Sequence, residues 1–313
     1  MSYCLDNRLV IGVSTRALFD LTVENEIFKS KGVEAYCRYQ IEHEKELLKP
    51  GNGFKLIEAL LNINKLPGQE GRVEVIIMSH NSPDTSLRVF HSIAHYGLAI
   101  SRAVFASGAS LTPYLEAFGT DLYLSADEQD VQAAVNCGIA AGIICPDEVR
   151  AYEHEKEISR IRIAFDGDAV LFSDESEVIF KEYGLEAFEE NERRHADYPL
   201  KAGPFAKFLK TISDIQKEFP ADAAPIRTAL VTSRSAPAHE RVIRTLRAWN
   251  VRIDEAFFLG GITKREVLKA FGAHIFFDDQ AVHTRAASEV VPSARVPYRQ
   301  GKMQKNEIFF LCG

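Results

Sequence analysis

Short apolar runs alternate with longer amphipathic stretches along most of the chain. The runs at 8–13, 73–78, 103–106, 122–124, 160–165, 227–231, 256–259 and 274–277 are bounded by turn-forming residues and predict strands. The segments 86–96, 131–141 and 238–249 carry apolar residues at helical spacing. Strands that are apolar throughout, not at every second position, are buried on both faces. With helices between them they predict an α/β layer fold around a largely parallel sheet. The segment 146–159 is charged and poor in apolar residues, and is the expected linker.

The pattern occurs twice. Displaced by 152 positions, Ile27–Tyr36 falls on Ile179–Phe188 with six of ten residues identical. Displaced by 153, the stretch 79–134 lies on 232–287 without a gap, and Leu115-Glu116-Ala117-Phe118-Gly119 meets Leu268-Lys269-Ala270-Phe271-Gly272. Two similar halves are expected, residues 1–150 and 155–313, from an internal duplication. They either share one sheet or stand apart. What differs between them is charge. Asp166 and Asp168 correspond to Ser14 and Arg16, Asp278-Asp279 to Ser125-Ala126, and Lys264 to Leu111. The first half keeps the scaffold and lacks the charged groups.

Composition narrows the reading only a little. The chain has 313 residues, 46% hydrophobic and 26% charged, which excludes wholesale disorder and fibrous architecture. A net charge of −7 argues against attachment to a nucleic-acid polymer through a broad basic face. Five scattered cysteines without C-x-x-C spacing predict free thiols, and hence neither a disulfide framework nor a cysteine zinc site. With no targeting segment and no apolar run of membrane-spanning length, the expectation is a cytoplasmic protein without a membrane partner.

Reactive groups in parallel α/β sheets collect at the carboxyl ends of strands. Asp166 and Asp168 follow one predicted strand, with Gly167 between them to permit a sharp bend, and Asp278 and Asp279 follow another. Four carboxylates in one crevice repel strongly unless a divalent cation and a lysine relieve them, and oxygen donors with few histidines favour Mg²⁺ over zinc. Taken alone, Asp166-Gly167-Asp168 is also how an ordinary acidic turn reads. A strand-end Thr232-Ser233, Lys264 and a second acidic pair in sequence order weigh against that.

These pieces together resemble the four-motif pattern of haloacid dehalogenase-like phosphohydrolases. The longer run Phe165–Glu177 (FDGDAVLFSDESE), with Val13–Phe19, Leu122–Asp127 and Ile275–Gln280, is similar to the cytosolic 5′-nucleotidase type I family, over about residues 9–298. The resemblance implies a Rossmann-like fold and Mg²⁺-dependent hydrolysis of nucleoside 5′-monophosphates, AMP or related purine nucleotides preferred. By the same resemblance Asp166 is the nucleophile that becomes an aspartyl-phosphate and Asp168 the general acid and base. Thr232 and Lys264 stabilise the transferring phosphoryl group, and Asp166, Asp168 (through its main-chain carbonyl), Asp278 and Asp279 hold the metal. A phosphatase for another small phosphomonoester, such as a sugar phosphate, and a non-catalytic nucleotide-binding regulator are the competing readings.

Several further residues are candidates for substrate binding. Ser233 is the alternative hydroxyl to Thr232, and Arg234 is read either as a bidentate phosphate ligand or as the partner of a surface acid. Arg16, at the altered nucleophile loop, and His80 and Asn81, where the first half has its counterpart of Thr232-Ser233, are expected to serve as substrate or effector contacts; the plain alternative for the 79–84 loop is a capped helix start. His91 and His95 are read as a helix face, Gly51-Asn52-Gly53 as no dinucleotide fingerprint, Asp174–Glu177 as a helix start, and 189–197 as a solvated face. An exposed half-fold offers a surface for homo-oligomer formation, which no residue pattern specifies.

Overall fold

In a computed structural model, which describes residues 4–144 and 158–299, the apolar runs form the strands of one twisted sheet. In chain order the strands are β1 (Leu9–Val13), β2 (Phe19–Asp20), β3 (Lys49–Pro50), β4 (Val73–Ser79), β5 (Arg102–Phe105), β6 (Leu122–Ser125) and β7 (Ala140–Ile144) in the first half. The second half has β8 (Ile161–Phe165), β9 (Ile226–Thr232), β10 (Glu255–Phe258), β11 (Ile275–Asp278) and β12 (Ser293–Arg295). β2 and β3 pair as a small antiparallel ribbon, and the other ten make a sheet of order β10-β9-β8-β11-β12-β7-β6-β1-β4-β5.

That order is a palindrome of the repeat. β8, β9, β10, β11 and β12 occupy the places of β1, β4, β5, β6 and β7, and within each half neighbouring strands are parallel. The one antiparallel pairing joins β12 to β7 and is the seam between the halves. The repeat extends to the helices. Thr22–Glu42 and Glu175–Arg194 each break at a glycine, Gly32 (φ 80°, ψ −178°) and Gly184 (φ 84°, ψ −177°), a conformation that residues with a Cβ avoid.

The core shows how far the halves depend on each other. On one face of the sheet a single apolar cluster runs from Leu9, Ile11 and Val13 across Ile144 to Ile163 and Phe165. On the other face each half has its own cluster, one around Ile76 and Tyr123, the other around Val231 and Phe276. At the seam, a Cβ on Gly142 would lie 2.9 Å from the Ala294 Cβ and 3.0 Å from Phe277 Cε1, so the close approach of the two half-sheets requires glycine there.

The predicted strands all form. Two segments depart from expectation. The helix read at 131–141 spans Glu128–Asn136 and is followed by β7, whose Ala140-Ala141 had looked helical; β12 is three residues long and has no apolar run to announce it. These are the two seam strands. Most of the linker at 146–159, and with it the boundary between the halves, lies outside the described residues, as do Cys145 and Cys312. Cys4, Cys37 and Cys137 are free thiols. Among the described residues, no helix is long and apolar enough to cross a membrane.

Candidate active site

β8 and β11 are neighbours at the centre of the second half, and the Asp166 amide donates to the Phe277 carbonyl at 2.8 Å. This contact places Asp166, the first residue past β8, beside Asp278, the last of β11. Asp166, Asp278 and Asp279 are all buried and offer carboxylate oxygens that lie within 4.8 Å of one another. Lys264, the first residue of the helix Lys264–Phe271, extends its ammonium between them, 2.7 Å from Asp166 and 2.6 Å from Asp278. The sequence-predicted core of the site is therefore brought together.

One lysine does not balance three carboxylates, and the titration behaviour reflects it. Burial pushes the Asp166 carboxyl up to about 6, with Lys264 opposing and Asp278 adding to the rise. Asp279 is pushed to about 8, chiefly by burial and then by the Asp166 charge. Asp278 is the exception: burial alone would raise it, but His283 and Lys264 outweigh that and hold it low. Desolvation of Lys264 is likewise outweighed by Asp166 and Asp278, so the ammonium stays protonated. Surplus negative charge on hard oxygen donors is the environment a hard divalent cation fits.

Thr232 ends β9 with its hydroxyl accepting from the Arg234 amide at 3.2 Å; it is buried beside Gly167, whereas Ser233 is exposed. Of the two hydroxyls, Thr232 is the one next to the Asp166 loop. That loop, Gly167–Leu171, corrects one expectation. Gly167 has no unusual backbone; the left-handed residue is Ala169 (φ 60°), and Gly167 instead leaves room for Thr232. The first half has an unstrained helical turn, Thr15–Leu18, at this position, so in this loop the left-handed backbone belongs to the carboxylate-bearing half alone.

Asp168 does not join the carboxylate cluster. Both its oxygens accept from Arg234, at 2.8 Å from Nε and 2.6 Å from Nη2. Arg234 Nη1 donates to Glu192 at 2.5 Å, and Glu192 also accepts from Arg241 at 2.9 Å and Ser176 at 2.8 Å. Both readings of Arg234 are corrected: its guanidinium is committed to Asp168 and Glu192, so it is not free for a bidentate phosphate, and of the acids it meets Glu192 is buried and Asp168 half-buried. Glu192 also corrects the reading of 189–197 as a solvated face, being 1% exposed within that run.

Arg16, His80 and Asn81 are not brought to this site. They lie at the carboxyl ends of β1 and β4, in the half whose strands run opposite to β8. Five inter-strand steps of about 4.8 Å separate β1 from β8, on the order of 24 Å. They line a different cavity. Asp174–Glu177 is a helix start as expected, with Asp174 at the N-cap. Its Glu177 nonetheless lies 3.0 Å from the Tyr298 hydroxyl, whose single proton is shared between Glu177 and Asp279. Tyr298 was not legible in the sequence: it follows β12, and only the register of that short strand carries it to Asp279.

Comparison with known proteins places the chain in a family. The model of the family described as 5′-nucleotidase matches residues 1–303. Human cytosolic 5′-nucleotidase 1B is 37% identical over 298 residues, which cover 91% of this chain and 48% of the relative, so the chain spans about half the length of that protein. No solved structure matches. A family match over nearly the whole chain and substantial identity to one of its curated proteins make this chain a member of the 5′-nucleotidase family.

Proposed function

We propose that the chain hydrolyses nucleoside 5′-monophosphates to nucleoside and phosphate, with AMP or a related purine nucleotide preferred and Mg²⁺ as the cation. The observation that carries this reading is the convergence of Asp166, Asp278 and Asp279 at adjoining strand ends, with Lys264 paired to the first two. Phosphate monoesters resist hydrolysis strongly, requiring up to about 10²¹-fold acceleration, so nucleophile, acid and charge stabilisation are all demanded. Mg²⁺ held by the three carboxylates and the Asp168 main-chain carbonyl would supply Lewis-acid stabilisation of phosphoryl charge.

Asp166 attacks phosphorus, and the bond from phosphorus to the ribose 5′-oxygen breaks as an aspartyl-phosphate forms. Asp168 gives its proton to the departing oxygen, then takes one from the water that releases phosphate and restores Asp166. Each Asp168 oxygen accepts one N–H from Arg234 and keeps a lone pair for the proton in flight, so Arg234 is a positioning residue. Thr232 donates to the phosphoryl oxygens, and Lys264 offsets their charge and that of Asp166. The cytoplasmic setting expected from the sequence belongs to the same reading.

Phosphate release from 5′- and 3′-nucleotides and sugar phosphates, with Mg²⁺ and then with EDTA, tests it beside Asp166→Asn. Release from 5′-monophosphates that needs Mg²⁺ and disappears in the variant is expected. Release from sugar phosphates alone would keep the chemistry and overturn the substrate.

A further inference from the structure

The first half preserves the frame of the active site in detail. The Ser14 amide donates to the Leu124 carbonyl at 2.9 Å, as Asp166 does to Phe277; the Asn81 amide donates to Ser79 at 3.1 Å, as Arg234 does to Thr232. The Asp127 amide donates to Ser125 at 3.1 Å, matching Gln280 and Asp278. On this frame the acids have become Ser14, Arg16, Ser125 and Ala126, and the lysine has become the buried Leu111. Nothing at these positions can hold a cation, and an anion meets no repulsion from them.

A cavity of about 490 Å³ opens over these residues, within the size range of small-molecule sites. Ser14, Thr15, Ser79 and Ser125 supply buried hydroxyls on its lining. The three acids that border it are engaged: Glu24 with Arg88 at 2.5 Å, Asp130 with His80 at 2.7 Å, and Asp127 as the N-cap of Glu128–Asn136. Half-buried Arg16 lines the cavity, and among the described residues nothing bonds or pairs with its guanidinium. Asn81, whose Oδ1 is fixed by the Tyr36 hydroxyl at 3.0 Å, has a buried Nδ2 donor with no partner. Leu21, Phe28, Val33 and Met78 make the remaining wall apolar.

We infer that this cavity is a second binding site, for a phosphorylated small molecule with an apolar or aromatic moiety, which it holds without hydrolysing. Arg16 and the hydroxyl-lined loop ends take the phosphate, and the wall formed by Phe28, Val33 and Leu21 takes the rest of the ligand. The inference does not need the hydrolysis proposed above. It places Arg16, His80 and Asn81 at a site of their own.

The full chain, titrated calorimetrically in EDTA with AMP, inorganic phosphate and adenosine, tests the assignment beside Arg16→Gln, Arg16→Lys and Ser125→Asp. A binding event for AMP, and a weaker one for phosphate, should lose about tenfold in affinity in Arg16→Gln and Ser125→Asp and recover most of it in Arg16→Lys. Melting temperatures close to that of the parent exclude misfolding as the cause. AMP isotherms that superimpose for parent and Arg16→Gln would overturn the site, as would adenosine binding that falls as much as AMP binding. Phosphate release by Arg16→Gln in Mg²⁺ reads the catalytic half separately.

Discussion

Arg234 stands between Asp168 and Glu192, and Glu192 between Arg234 and Arg241, so positive and negative groups alternate along a chain whose two middle members are buried. Burial alone would raise the Glu192 carboxyl, but the two arginines hold it below the ordinary 4.5. Glu192→Gln strands part of that charge and should cost about 3 kcal/mol, read by chemical denaturation. A carboxyl lowered by folding contributes stability above its unfolded value and loses it as pH falls through the folded one. The gap between parent and variant should therefore be full at pH 7 and close below about pH 4.5. A catalytic readout separates positioning from mere stability: in the variant kcat should fall with KM little changed. Ala169→Gly, at φ 60°, should raise stability by up to about 1 kcal/mol in a thermal melt, because glycine takes that backbone without strain. At this scale the acidic motifs were legible because they are contiguous in the chain and lie at strand ends. Glu192 was not, because nothing in a run of charges tells which one turns inward.

Among the elements, the long apolar strands were readable and the seam was not. β12 has only Ser-Ala-Arg to offer, and β7 begins with two alanines that suit a helix equally well. Their pairing is decided by what lies on either side of it, which periodicity along one strand does not encode. Gly142 is where that packing is tightest. Gly142→Val should cost about 2–3 kcal/mol and lower the melting temperature, while Gly138→Ala, at a glycine with open space around it, should disturb only its own turn. A melt of Gly142→Val that matches the parent would mean that the half-sheets can separate at the seam without loss.

For the whole molecule, one apolar face spans both halves, so neither is self-sufficient. Residues 158–299 expressed alone would expose the seam edge of β12 and part of the shared core, and should be insoluble or unfolded by circular dichroism; the full chain should melt in one transition. In the proposed role of the carboxylate cluster, Mg²⁺ would relieve repulsion that only the folded state contains; it should raise that transition by several degrees, and Asp279→Asn should abolish most of the shift. The repeat was visible in the sequence, but its direction was not. Because β12 and β7 run antiparallel, the two sets of strand ends open along opposite senses of the sheet. Two ligands then have separate doorways and cannot obstruct each other. Steric competition between them is excluded by the architecture, and any effect of one on the turnover of the other has to be transmitted through the sheet they share.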